Sequence, residues 1–307
     1  PEIQWQRSFG GSSNDVIRAL TQTSDGGYIL GGPSTSGATG TKTNANFGTN
    51  DFWLVKTDAN GNKQWEKVYG GSADDYLYAL QATPDGGCIA GGYSYSSFSG
   101  NKNTSNYGMS DFWVVKLDSS GNKQWERIFG GSNADELHAI QLTADGGYIL
   151  AGDSASGISG NKTNAGFGGI DYWLVKVDSN GNKQWEKVFG GNLTDGCSTV
   201  QQTTDGGYIV GGFSYAGISG NRTVANYGFA DGWLVKVDSL GNIQWDQAFG
   251  GTSIDAFRDV QLTSDGGYIL LASAYSGATG NKTTPGYGAN DYWLIKLDSG
   301  ANKQWEQ

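Results

Sequence analysis

The chain has 307 residues, 16% charged and 13% aromatic, with 51 glycines, 11 tryptophans and a formal net charge of −10. Sparse, mostly acidic charge excludes a nucleic-acid partner, which needs clustered Lys and Arg, and no apolar run approaches the ~18 residues of a membrane span. One His and two Cys leave little for a metal centre or a nucleophile, while the aromatic content suffices for a sizeable core.

All eleven tryptophans fall into two series that step by 60 residues, one through Trp5, Trp65, Trp125, Trp185, Trp245 and Trp305, the other through Trp53, Trp113, Trp173, Trp233 and Trp293. The pairs Gly10-Gly11, Gly70-Gly71, Gly130-Gly131, Gly190-Gly191 and Gly250-Gly251 keep the same step. A spacing this strict means one structural unit used five times, with the tail through Trp305 beginning a sixth.

The second repeat shows the unit. Residues 76–83 alternate as a strand, and Pro84-Asp85-Gly86-Gly87 supplies a tight turn. Residues 88–95 form a second strand, with small residues where another backbone approaches. A polar Gly/Ser/Asn stretch runs to about Ser110, then Asp111–Lys116 is a third strand, Ser119–Asn122 a second hairpin turn and Gln124–Phe129 a fourth strand. No segment carries the 3.6-residue helical period. Four antiparallel strands at fixed spacing predict an all-β chain, a five-bladed β-propeller in one domain over 1–307, with blades at about 16–68, 76–128, 136–188, 196–248 and 256–307.

The unit is carried by Trp125, Gly130, Gly131, Asp135, Asp145-Gly146-Gly147-Tyr148-Ile149 and Asp171-Tyr172-Trp173-Leu174-Val175-Lys176. It resembles the repeats of secreted or cell-surface bacterial β-propeller proteins of the SBBP type, over essentially the whole chain. The architecture is also similar to that of five-bladed lectin-like propellers. The resemblance implies a propeller and a secreted or cell-surface location, and no particular activity. No signal peptide is visible, so secretion rests on composition and on this resemblance.

Strand alternation puts the Gly-Gly-Ser-x-x-Asp links and the long second loop on one face of each blade and the two hairpin turns on the other. The long loops span 34–50, 94–110, 154–170, 214–230 and 274–290, a length that in compact domains is usually functional or disordered. Each carries an aromatic followed by Gly (Phe47, Tyr107, Phe167, Tyr227, Tyr287) and ends on a carboxylate (Asp51, Asp111, Asp171, Asp231, Asp291). Asn101, Asn161, Asn221 and Asn281 precede a basic residue. An aromatic plate beside amide and carboxylate groups suits a sugar, whose C–H faces stack on rings while planar polar groups engage its hydroxyls. A structural reading of the same residues stands beside this: the ring anchors its own loop, and the aspartates cap backbone N–H groups as Asx turns.

The remaining constellations read as structure. The tryptophans and Cys88 and Cys197 are core positions, and Lys56, Lys116, Lys176, Lys236 and Lys296 end a strand beside carboxylates as ion pairs. Asp58-Ala-Asn-Gly-Asn62 begins like a calcium loop, but Tyr69 stands where the bidentate Glu belongs, so it is a hairpin turn. Calcium stays open only on the loop face, where Asp15-type and Asp51-type carboxylates approach one another; no other cofactor or metal is expected. His138 occurs in one repeat only, without an elbow motif, and supports no triad.

Six copies of the fourth strand compete for five places. We expect residues 3–8 to close the last blade and 303–307 to be displaced, frayed or paired with another molecule, a route to self-association. The function expected is therefore a non-enzymatic extracellular module that binds surface glycan weakly at several loop sites. The alternative is a structural, assembly or adhesion scaffold that contacts another surface protein through its loops or its surplus terminal strand.

Overall fold

The computed structural model describes residues 2–307, and its regular elements are all strands. The first sheet holds β1 (Ala19–Gln22), β2 (Tyr28–Ser34), β3 (Asp51–Thr57) and β4 (Lys63–Tyr69); the second holds β5 (Asp75–Ala82), β6 (Cys88–Ser94), β7 (Asp111–Leu117) and β8 (Lys123–Phe129). The third holds β9 (Asp135–Leu142), β10 (Tyr148–Ser154), β11 (Asp171–Val177) and β12 (Lys183–Phe189). The fourth holds β13 (Asp195–Gln202), β14 (Tyr208–Ser214), β15 (Asp231–Val237) and β16 (Ile243–Phe249). The fifth holds β17 (Asp255–Leu262), β18 (Tyr268–Ala274), β19 (Asp291–Leu297) and β20 (Lys303–Glu306). Five sheets of four antiparallel strands are the strand content of a five-bladed β-propeller. By contact the chain divides into two compact units, Pro1–Leu142 with Ser159–Asn161, and Thr143–Ile158 with Lys162–Gln307.

Local chemistry ends the strands where the sequence predicts. Gly86 sits at φ 79° in the turn from β5 to β6 and Gly121 at φ 74° in the turn from β7 to β8, a region where a side chain is strained. The equivalent residue between β19 and β20 is Ala301, held at φ 63°.

Sheets pack face to face because inner strands such as β3 and β7 are apolar on both faces and buried throughout. In the first unit, Phe52 of β3 sets its ring 4.7 Å from that of Trp113 on β7, within a core that includes Leu54, Leu77, Val115 and Ile128. In the second, Tyr172 lies 4.9 Å from Trp233 and donates its hydroxyl to the Trp233 carbonyl at 3.1 Å. Burial of such rings contributes roughly 2–3 kcal/mol each. Glycine permits the close approach: a Cβ at Gly31 would stand 3.2 Å from a Leu77 methyl.

The ends of the chain correct the expectation from sequence. The fourth strand of the last sheet is β20, paired to β19 through Lys296↔Trp305 and Leu297↔Lys303. Residues 3–8 form no strand. Trp5 instead rests on the first sheet, its indole N–H 3.1 Å from the Ala59 carbonyl and its ring 6.0 Å from that of Tyr28. The reason is local. A short hairpin, tied by the Asn302 amide on Asp298 at 2.8 Å, closes β20 onto its neighbour at little entropic cost.

Candidate functional site

The long loops are fastened from within. Lys42 is buried, with Nζ donating to the Ser36 carbonyl and to Asn46 Oδ1, each at 2.6 Å, and standing 5.9 Å from the Trp53 ring centre. Lys102, Lys162 and Lys282 stand likewise over Trp113, Trp173 and Trp293. Glu66 accepts the backbone N–H groups of Thr43 and Asn44 while Lys63 pairs with its other oxygen at 2.7 Å. A loop held at both ends by buried charge is a rigid platform.

The asparagines belong to this fastening. Asn101 accepts the Gly70 N–H at 3.0 Å and donates to the Val68 carbonyl at 2.8 Å. Asn161, Asn221 and Asn281 bridge Gly130, Gly190 and Gly250 in the same way. Both ends of each amide are therefore committed to backbone.

The aspartates that open the third strands are also turned inward. Asp51 Oδ2 accepts the Phe47 N–H at 2.5 Å and the Gly48 N–H at 3.4 Å. The same bond runs from Tyr107 to Asp111, Phe167 to Asp171, Tyr227 to Asp231 and Tyr287 to Asp291. Asp51, Asp111, Asp171 and Asp231 are buried, whereas Asp291 is partly exposed. Burial outweighs the loop amides and pushes Asp51 and Asp231 up to about 6 and Asp111 up to about 7. Asp75 comes up against Asp51, and Asp255 against Asp231, as expected for the two carboxylate series. Among the described residues no group of three or more His, Cys, Asp or Glu side chains makes a metal-binding set.

The rings are what the loops present. Phe47, Tyr107, Phe167 and Tyr227 are between 44% and 48% exposed. Each lies with its inner edge on a glycine of the next loop, Gly100, Gly160, Gly220 and Gly280 respectively. Tyr287 is 90% exposed. The same loops expose Phe98, Met109, Ile158, Ile218 and Phe229.

On the other face, the lysines expected as ion pairs are such: Lys56 meets Asp25 at 2.9 Å, Lys176 meets Asp145 at 2.8 Å and Lys236 meets Asp205 at 2.9 Å. Asp58 receives the N–H groups of Asn60 and Asn62 as an Asx turn. Cys88 and Cys197 are buried free thiols.

One aromatic group is not evident from the repeat. Tyr78 stacks 5.4 Å from Tyr93 and meets His138 at 5.2 Å, Tyr76 meets Tyr93 at 5.3 Å, and the Arg18 guanidinium lies 5.0 Å over Tyr78. The signal was a first-strand position that varies between repeats, Arg18, Tyr78, His138, Ser198 and Arg258. Tyr78, Ser198 and Arg258 each occupy a register slip between first and second strands, and a bulge leaves its extra residue unpaired and re-aimed.

No family model matches the chain. It is 24% identical over 194 residues to the regulatory protein FlaEY of Caulobacter vibrioides, a match taking in 60% of this chain and 20% of that protein. The chain thus spans a fifth of the length of that relative. Among solved structures it is similar to the hydrazine synthase of Kuenenia stuttgartiensis, at 13% identity and a TM-score of 0.49, over 97% of this chain and 68% of that one. It is also similar to a Bacteroides caccae protein of unknown function, at 10% identity and a TM-score of 0.48, over 94% of this chain and 80% of the other. A Synechocystis apocarotenoid oxygenase gives 12% identity and a TM-score of 0.48, over 94% and 60% of the two chains. None of these likenesses carries an activity to this chain.

Proposed function

We propose that the chain is a non-enzymatic binding module that engages glycans weakly and repeatedly through the loop rings Phe47, Tyr107, Phe167 and Tyr227. Its place of action is the cell surface or beyond it, as the resemblance of its repeat to SBBP-type proteins implies. One observation carries the reading: four rings at equivalent positions are half-exposed, each seated against a glycine of the next loop, with the backbone N–H of the ring residue bonded to a carboxylate. A ring already seated on one edge stacks its open face on a sugar C–H face at a reduced entropic cost. The asparagines and aspartates support the ring and do not touch the ligand. Polar contact falls to the exposed link residues Ser72 and Ser132, which lie against Gly48 and Gly108 beside the first two rings. Weak sites at sixty-residue intervals gain by simultaneous engagement.

The test is a glycan array followed by titration of the best-retained oligosaccharide. Combined Phe47→Ala, Tyr107→Ala, Phe167→Ala and Tyr227→Ala substitutions should lower avidity by about tenfold or more. Unchanged binding by that variant, or an array that retains nothing, rejects the reading.

A second reading, an assembly scaffold, is favoured by a separate observation: Tyr292 in the last sheet is 91% exposed, although its counterparts Phe52, Phe112 and Tyr172 are fully buried.

A further inference from the structure

Two apolar surfaces lie at the ends of the repeat series. The last sheet leaves one face bare. Tyr292 and Leu271 are exposed there and Ile269 and Leu294 are half-buried. The equivalent residues of the first sheet, Phe52, Leu54 and Ile29, are buried under the second. The first sheet in turn has a cleft of about 430 Å³ on its opposite face, lined by Trp5, Phe9, Ile17, Leu20, Leu30 and Trp53 among others. Ile17 and Leu20 are 63% and 61% exposed, while their counterparts Leu77 and Leu80 belong to the core between the first two sheets.

The chain itself shows what covers such faces. In the first unit Phe52 enters beside Trp113 at 4.7 Å, and in the second Tyr172 enters beside Trp233 at 4.9 Å. Tyr292 is the same knob, and the cleft beside Trp53 is the same hole. The N-terminal segment is already placed for such a joint. Trp5 donates to Ala59 at 3.1 Å as Trp65, on the fourth strand of the first sheet, donates to Ser119 in the second at 3.0 Å. Residues 3–9 thus occupy the place of a preceding blade's fourth strand, yet they pair with no strand.

We propose that copies of this chain join head to tail, with Tyr292 of one copy entering the cleft beside Trp53 of the next. The segment Ile3–Phe9 of that next copy then becomes the fourth strand of the last sheet of the copy that supplies Tyr292. It has seven residues where β20 has four, so it also pairs the outer edge of Tyr292 and Trp293, which β20 does not reach. β20 yields, because Trp5 and Trp305 claim one position. The joint then repeats the covalent path from β4 into β5. It differs at Leu271, which stands where the first, second and fourth sheets have Gly31, Gly91 and Gly211. The cleft beside Leu20 supplies the room that Leu271 needs. This inference is independent of glycan binding. A heterologous contact of this kind does not close on itself as a two-fold dimer does.

Sedimentation tests it with the full chain. Average mass should rise with concentration above that of one chain. Tyr292→Asp should keep the chain monomeric, and so should Ile17→Asp combined with Leu20→Asp; all three positions are exposed, so the fold is retained. Mixing the two variants should restore a one-to-one pair, because one keeps the cleft and the other the knob. Deleting 303–307 should tighten assembly by about tenfold, since it removes the competing strand. A wild-type chain that stays monomeric at every concentration overturns the proposal. Failure of the mixed variants to pair, or loss of assembly on deleting 303–307, overturns it as well.

Discussion

The carboxylates of Asp51 and Asp75 converge on one residue, Gly70, from adjacent repeats. A methyl group there would overlap Asp51 Oδ1 and come within 2.9 Å of Asp75 Oδ2. Asp75 also receives the Gly71 N–H at 2.7 Å and the Ser96 hydroxyl at 2.9 Å. The joint between the first two sheets is therefore clasped at its loop end by two buried acids around a glycine. Gly70→Ala should destabilise the fold by about 1–3 kcal/mol, the range for overpacking a filled site. Chemical denaturation of the variant would show this as a lower midpoint with an unchanged slope.

The buried acids predict a falling stability from mildly acidic to neutral pH. Burial raises Asp51, Asp195 and Asp231 to about 6 and Asp111 to about 7. A carboxyl raised on folding contributes stability that is fully present below its unfolded value and lost as pH rises through the folded one. The opposite sign holds for Asp145 and Asp205. Burial would raise them, but hydrogen bonds from threonine and lysine hold both at about 2, so their contribution is lost as pH falls towards 2. The melting temperature should peak between about pH 4 and 5 and decline by several degrees by pH 8. A profile rising steadily from pH 4 to 8 would contradict the clasp.

Arg222 is the odd member of the lysine series. Its three guanidinium nitrogens have no hydrogen-bond partner, and neither does Oδ1 of the adjacent Asn226. Lys42, by contrast, satisfies Asn46 and a loop carbonyl. Arg222→Lys should stabilise the chain by about 1–2 kcal/mol by replacing unpartnered buried donors with bonded ones. Thermal unfolding of the variant measures it.

Ala301 carries a φ of 63° where the other four repeats have glycine at Gly61, Gly121, Gly181 and Gly241. Ala301→Gly should therefore stabilise the last hairpin by about 1 kcal/mol. Hydrogen exchange at Lys303–Glu306 should slow accordingly. By holding β20 in place, the same change should weaken head-to-tail assembly.

Cys88 and Cys197 are both enclosed, and burial pushes the Cys88 thiol up to about 12 and Cys197 well above its ordinary value. Neither should react with a disulfide reagent in the native protein, and both should react at once in denaturant. Rapid labelling of the native chain would mean that the sheet faces open.

Much of the fold was legible because its causes are local. The alternation of 76–83 and the Asp-Gly-Gly turn after Pro84 place β5 and β6 within a residue of where they lie. The Asx turn at Asp58 was legible for the same reason, since its acceptor and donors are four residues apart or fewer. The rings of the loops were found by their repetition. Their exposure was not, because Phe47 is half-covered by Gly100, a residue of the next repeat.

The sixty-residue period, the strands and the hairpin turns followed from the order of residues alone, since glycine sterics and two-residue alternation act over a few positions. The tertiary structure decided which polar groups are spent. Asn101 and Asp51 suit a ligand on paper, but backbone N–H and carbonyl groups brought alongside by folding claim them first. It also decided which of two equal tryptophan strands lies beside β19. There the short hairpin prevailed, because a strand already tethered at its side loses the least entropy in pairing.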